Sequence, residues 1–110
     1  MIEKTVAELS AALSAGDISS VELTQAYLSR IAKHNATLNA YITVCEKSAL
    51  AQAQKADEAR ADGASGPLLG IPMAHKDIFC TEGVKTTCGS RMLHNFIAPY
   101  NATVVEKLKT

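Results

Sequence analysis

The amino-terminal part of the chain alternates apolar and polar residues with a helical period. Thr5 and Glu8 form a capping box, a threonine cap followed three residues later by a glutamate, which is typical of a helix start. The next apolar residues recur at helical spacing and share one face: Val6, Leu9 and Leu13. Gly16 suits the end of such a helix. The pattern therefore predicts a short first helix that ends at Gly16.

A second helix is predicted from a cap at Ser19, with its capping-box partner at Glu22, to about His34. Asn35 is suited to end it. The apolar stripe of this helix predicts which residues face inward: Val21, Thr24, Leu28 and Ile31, widened by Leu23 and Tyr27. Two amphipathic helices thus precede any other element.

Alanines alternate with charged and amide residues from about Cys45 to Ala61, which predicts a third helix with a thin apolar face. We interpret it as a surface helix of a larger body. Thr103 and Glu106 form one more capping box, which predicts a last helix of about two turns. Because so short a helix is marginal alone, we expect the chain to be the front portion of a longer protein. A frayed terminal helix is the alternative.

Three short segments between the helices are predicted to be extended, at residues 38–44, 73–79 and 84–87. The first is rich in β-branched and aromatic residues. The second follows a turn signal at Gly66 and Pro67, and Pro72 fits the first residue of a strand.

Lys76 is the candidate functional residue of segment 73–79. In a strand, Ala74, Lys76 and Ile78 share a face, while Asp77 points to the other side and is not an easy ion-pair partner. Lost solvation on an apolar face lowers the pKa of a lysine, and a neutral lysine is a usable base. The alternative, which the pattern alone favours, is a lysine with a buried stem and its ammonium in water.

Composition narrows the class of protein. The 11 basic and 11 acidic side chains balance, so no net field recruits nucleic acid or an anionic membrane. No apolar run approaches a membrane span, and the amino terminus lacks the apolar core of a signal peptide, so we expect a cytoplasmic protein. The three cysteines lack Cys-x-x-Cys spacing and are expected to be reduced thiols. No metal-ligand spacing links them to His34, His75 or His94.

Three runs carry a resemblance to a known family. They read Gly-Pro-Leu-Leu-Gly-Ile-Pro-Met-Ala-His-Lys-Asp at 66–77, Thr-Thr-Cys-Gly-Ser at 86–90 and Ala-Pro-Tyr-Asn-Ala-Thr-Val-Val at 98–105. With the early helices, they resemble the amidase signature family over essentially the whole chain. Residues 75–80 are more similar to the glutaminase subunits of tRNA-dependent amidotransferases than to broad-range amidases. Asn101 departs from the pattern, where aspartate is expected.

The resemblance implies an α/β fold with helices packed on short strands of a mixed sheet. Residues 1–110 would be the amino-terminal portion of an amidase-type catalytic domain, ending within a helix. It also implies a Ser–cis-Ser–Lys catalytic set, whose lysine matches Lys76. In that mechanism a neutral lysine takes a proton, through a bridging serine, from the serine that attacks the amide of glutamine and releases ammonia.

The glycine- and serine-rich loop that carries both serines in the family has no counterpart in this sequence. We therefore expect the chain alone to be inactive, and Ser65 and Ser90 to be turn residues rather than nucleophiles.

The resemblance further implies a heterotrimer with the B and C subunits of the amidotransferase. The B subunit would hold ATP and magnesium and bind the aminoacyl-tRNA, so no cofactor is expected in this chain, and no membrane partner. Two alternatives stay open: a fragment of a general amidase, and a non-enzymatic helical interaction piece.

Overall fold

The computed structural model describes residues 1–109, and the chain divides into two compact units. Unit 1 comprises Met1–Tyr41 and Cys45–Pro72, and unit 2 comprises Ile42–Val44 and the chain from Met73 onward. The helices of the described residues are α1 (Val6–Ala15), α2 (Ser20–Leu38), α3 (Glu46–Ala61), a 3₁₀ turn (Arg91–Leu93) and α4 (Thr103–Lys109).

Both predicted capping boxes of unit 1 are confirmed. The Thr5 hydroxyl accepts the Glu8 N–H at 3.3 Å, and the Glu8 carboxylate accepts the Thr5 N–H at 2.7 Å. Ser19 and Glu22 make the same pair of bonds at 3.0 and 2.9 Å. These bonds satisfy N–H groups that have no partner within the helix, which is why both helices begin where the sequence predicts.

The end of α1 at Gly16 is confirmed, and the predicted end of α2 near His34 is wrong. Helix α2 continues to Leu38, and Asn39 adopts the left-handed conformation that ends it. Asn35 remains helical, and its side-chain amide bonds to both backbone groups of Tyr41, at 2.9 and 3.0 Å. Asparagine tolerates the left-handed region, so the later of the two asparagines takes the terminal position.

The core of unit 1 is a small cluster of leucines from α1 and α2. Leu9, Leu13 and Leu23 are buried, and three partly buried residues pack against them: Ile18, Tyr27 and Ile71. Helix α3 packs against α2 and buries only Ala53 among its side chains, in agreement with its thin apolar face.

Polar contacts attach α3 and the loop after it to the start of α2. The Asp57 carboxylate accepts the N–H groups of Ser20 and Val21 at 2.7 and 3.1 Å, where negative charge suits the helix dipole. The Ser20 hydroxyl donates to the Gly70 carbonyl at 2.7 Å, and the Arg60 guanidinium donates to the Leu69 carbonyl at 2.8 Å. The loop 66–72 is therefore held by hydrogen bonds to two helices.

The predicted strands are not observed among residues 1–109. Leu38 belongs to α2, and the residues after it have no neighbouring strand with which to form a ladder. Residues 73–79 contain a turn, closed by a bond from the Phe79 N–H to the Lys76 carbonyl at 3.0 Å. Segment 84–87 contributes one antiparallel bridge, Lys85 with Ile97. The described residues therefore contain helices and loops but no mixed sheet.

The last helix begins at Thr103, but its cap differs from the prediction. Thr103 is already helical, and the Glu106 N–H bonds to the Ala102 carbonyl at 3.0 Å. The Glu106 carboxylate accepts the Asn101 amide at 2.6 Å, while Asn101 Oδ1 accepts the Glu82 N–H at 2.8 Å. Asn101 thus uses a donor that aspartate would lack. The last residue of the chain, Thr110, lies outside the described residues.

Candidate active site around Lys76

Lys76 lies in unit 2, in a loop, as the first residue of the turn that Phe79 closes. Its side chain is exposed and makes no hydrogen bond or ion pair with the other residues from 1 to 109. The predicted apolar face is wrong, because the segment is not a strand and Ile78 is itself 51% exposed. In the described chain the Lys76 amine is therefore accessible to a reaction partner from solvent.

The residue after it, Asp77, is the best-connected side chain of this loop. One carboxylate oxygen accepts the Thr87 N–H at 2.8 Å, and the other accepts the Thr87 hydroxyl and, at 3.2 Å, the Gly89 N–H. The Asp77 carbonyl accepts the Cys88 N–H at 2.8 Å. We name this set of bonds the Asp77 clamp. It ties the backbone beside Lys76 to residues 87–89.

The clamp lowers the pKa of Asp77. The Thr87 hydroxyl is the main cause, followed by the Thr87 N–H, and both stabilise the carboxylate form. Partial burial acts in the opposite direction and is outweighed. Asp77 therefore carries its negative charge at neutral pH, one residue from the Lys76 amine.

The backbone conformation of residues 87–89 places these hydrogen-bond donors at the Asp77 carboxylate and carbonyl. Cys88 and Gly89 both have positive φ values, 52° and 67°, which fold the chain back toward Asp77. A cysteine rarely adopts this conformation, so the bonds to Asp77 compensate for it. Sequence reasoning missed the pair of Asp77 and Thr87. The available signal was an aspartate followed by a Thr-Thr-x-Gly run that begins nine residues later, since Asp and Thr side chains often bond to nearby backbone groups.

The other candidate groups have simpler surroundings. The Ser90 hydroxyl accepts the Met92 N–H at 3.2 Å and caps the 3₁₀ turn, which confirms it as a turn residue. All three cysteines are free thiols, and Cys45 and Cys88 are exposed. Within residues 1–109, no group of three His, Cys, Asp or Glu side chains could hold a metal ion. None of the described helices has the length and hydropathy that a membrane crossing needs.

Comparison with known proteins defines the family. The family described as Amidase matches residues 22–110, and the chain belongs to it. The resemblance seen in the three sequence runs is thereby confirmed.

Similar curated proteins share one description. The glutamyl-tRNA(Gln) amidotransferase A subunit of Thioalkalivibrio sulfidiphilus is 63% identical over 109 residues, which are 99% of this chain and 22% of that protein. The protein of the same description from Nitrosococcus oceani is 58% identical over 110 residues, 100% of this chain and 23% of that protein. The chain therefore spans between a fifth and a quarter of the length of these relatives.

A solved structure supports the same fold family. A chain from a vestigial protein complex, described as revealing the evolutionary origins of an s-triazine catabolic enzyme, superposes with a TM-score of 0.91 at 30% sequence identity. The superposition covers 96% of this chain and 24% of that chain. The backbone of the described residues is therefore a recurrent arrangement within larger proteins.

Proposed function

We propose that this chain is the amino-terminal part of the glutaminase subunit of a glutamyl-tRNA(Gln) amidotransferase. In this role the complete subunit hydrolyses glutamine and supplies ammonia for the conversion of Glu-tRNA(Gln) to Gln-tRNA(Gln). The observation that carries the proposal is 63% identity over 99% of the chain with a protein of that description. Cytoplasmic location and assembly with the B and C subunits belong to the same proposal, as do ATP and magnesium on the B subunit.

Lys76 is the catalytic residue that this chain contributes in the proposal. Its amine is exposed and makes no hydrogen bond or ion pair among residues 1–109. The proposal requires an accessible amine, because the base must contact a hydroxyl from another segment. In this role Lys76 is the base that takes a proton, through a bridging serine, from a nucleophilic serine, and both serines come from the remainder of the complete subunit. The mixed sheet of the family fold likewise needs strands from that remainder, because a strand needs a neighbour for its backbone bonds.

A chimera tests the proposal. This chain replaces the matching amino-terminal segment of the Thioalkalivibrio sulfidiphilus relative, which is co-purified with its partner subunits and assayed for ammonia released from glutamine. We expect activity that increases with glutamyl-tRNA(Gln). Substitution Lys76→Ala should lower kcat by at least about a hundredfold, the usual contribution of a positioned base. The exposed Lys47→Ala serves as the control and should leave kcat unchanged.

The alternative functions predict different results in the same assay. A general amidase would hydrolyse small amides without a response to glutamyl-tRNA(Gln). A non-enzymatic role would leave Lys76→Ala indistinguishable from Lys47→Ala. A folded chimera with full turnover after Lys76→Ala removes Lys76 from the mechanism.

A further inference from the structure

Unit 2 contains a cavity of about 250 Å³ beside the residues of the Asp77 clamp. Three cationic or protonatable side chains line it, those of Lys85, Arg91 and His94. The remaining lining residues are Ile42, Thr43, Thr87, Gly89 and Ser90. The proposed glutaminase mechanism gives no role to Lys85, Arg91 or His94.

The three side chains have no anionic partner among residues 1–109. Lys85, Arg91 and His94 make no side-chain hydrogen bond or ion pair in the described part of the chain. Within residues 1–109, the carboxylate that bonds to lining residues is Asp77, which accepts the N–H groups of Thr87 and Gly89 and keeps its negative charge. The two cationic side chains, Lys85 and Arg91, therefore outnumber the one carboxylate that bonds to lining residues, and neither forms an ion pair within residues 1–109.

The charge distribution of unit 2 adds to this excess. The whole chain has no net charge, yet unit 2 carries five basic and three acidic side chains. These are Lys76, Lys85, Arg91, Lys107 and Lys109, against Asp77, Glu82 and Glu106. Two of the five basic residues line the cavity, whereas the lining residues include none of the three acidic ones; Asp77 bonds to two lining residues, and Glu82 and Glu106 bond to none. Anions are therefore attracted to this cavity in particular.

We propose that this cavity binds a phosphate group. A volume of about 250 Å³ is below the usual size of a site for a drug-sized molecule, so it suits a small group rather than a nucleotide base. Arg91 offers a planar fork of donors and Lys85 a point charge, the two side chains that bind phosphate in proteins. Hydroxyl donors are available from Thr43 and Ser90. Two permanent cations match a phosphate dianion better than a singly charged carboxylate.

Titration of inorganic phosphate into the ¹⁵N-labelled chain tests this inference. The titration is run at constant ionic strength, with chloride as the balancing anion, at a protein concentration below that at which the chain associates. We expect saturable chemical-shift changes confined to residues 42–43 and 85–94, with a Kd of about 1 mM. A parallel titration with glycerol phosphate separates the two sources of the group. Equal affinity means that esters are bound, and binding of inorganic phosphate alone means that the free ion is the ligand.

Matched variants separate a built site from general attraction. Arg91→Gln should weaken phosphate binding about tenfold, and Lys85→Gln provides a second test should Arg91→Gln not fold. Arg30→Gln removes an exposed charge on α2, in unit 1, and should leave the affinity unchanged. Shifts that do not saturate, or an equal loss of affinity in Arg30→Gln, would overturn the proposal.

Discussion

The Asp77 carboxylate accepts both the backbone N–H and the hydroxyl of Thr87. This pair spans ten residues and fixes the loop that begins at Lys76. Unit 2 buries few apolar side chains: within the described residues these are Ala98 and Val105. Hydrogen bonds are therefore an unusually large share of the interactions that hold this unit in one conformation.

The first prediction concerns removal of the Asp77 charge. Asp77→Asn keeps one acceptor oxygen but loses the charge and one acceptor, so we expect the free energy of unfolding to fall by about 1–3 kcal/mol. Urea unfolding followed by circular dichroism measures the change.

Asp17→Asn is the matched control, because Asp17 is exposed and its carboxylate makes no hydrogen bond within residues 1–109. It should stay within about 0.5 kcal/mol of the parent chain. Equal effects of the two substitutions would mean that the clamp does not stabilise the fold.

The helix starts were predictable because they depend on residues three positions apart. Thr5 with Glu8 and Ser19 with Glu22 are complete signals in the sequence, and no distant residue is needed to satisfy them. The contact of Asp57 with Ser20 was not predictable, since 37 residues separate the two and a single aspartate on a helix has no distinguishing pattern.

The site was predictable only in part, for the same reason. The sequence indicated Lys76, but it also indicated a strand, which requires a partner that the described residues do not supply. The donors that instead shape this loop come from Thr87, Cys88 and Gly89. Their role depends on the left-handed backbone conformation of residues 88 and 89. A cysteine rarely adopts this conformation, so the cysteine at position 88 does not predict it.

The second prediction is a pH dependence that follows from the lowered pKa of Asp77. Above the ordinary aspartate pKa of about 4, the group is ionised in both states and its contribution to stability is fully present. As the pH falls, the unfolded chain binds the proton first, and the contribution is lost while the pH passes through the lower pKa of the folded state.

Unfolding in urea at a series of pH values from about 7 to about 3 measures this loss. We expect the fall in stability to be smaller for Asp77→Asn than for the parent chain. Glu8 also has a lowered pKa, mainly because its carboxylate accepts the Thr5 N–H, so Glu8→Gln should remove a separate part of the dependence. Parallel curves for the parent chain and Asp77→Asn would contradict the assignment to Asp77.

The third prediction compares two glycines with nearly the same backbone conformation. Gly70 and Gly16 have φ values of 79° and 77°. A Cβ atom on Gly70 would lie 3.1 Å from both Cβ and Oγ of Ser20, whereas one on Gly16 would meet nothing within 4 Å. Gly16→Ala should cost about 1 kcal/mol from the left-handed conformation alone. Gly70→Ala should cost at least about 1 kcal/mol more, because Ser20 is buried and its hydroxyl is held by the Gly70 carbonyl.

Thermal unfolding of the two variants makes this comparison directly. The larger decrease in Tm is expected for Gly70→Ala, and Ser20→Ala combined with Gly70→Ala should recover little, since the Ser20 Cβ contact persists. Equal Tm values for the two single variants would show that the loop after α3 moves away from α2 without cost.

The fourth prediction is that the chain, studied by itself, associates through the apolar side chains of unit 2. Many of its large apolar residues are exposed, among them Met92 at 94%, Tyr100 at 62% and Ile97 at 50%. Exposed apolar area on this scale favours contacts that remove it from water. We therefore expect sedimentation to depend on protein concentration and the dye ANS to bind.

Replacing Met92 and Phe96 together by serine should reduce both the association and the ANS signal, because both side chains lie in unit 2 and are exposed. Leu38→Ser is the matched control: Leu38 is 70% exposed but belongs to unit 1, at the end of α2. It should change association little. A monomer at all concentrations with a sharp thermal transition would contradict the prediction, and it would mean that the hydrogen bonds of Asp77 and its partners stabilise unit 2 without further burial of apolar surface.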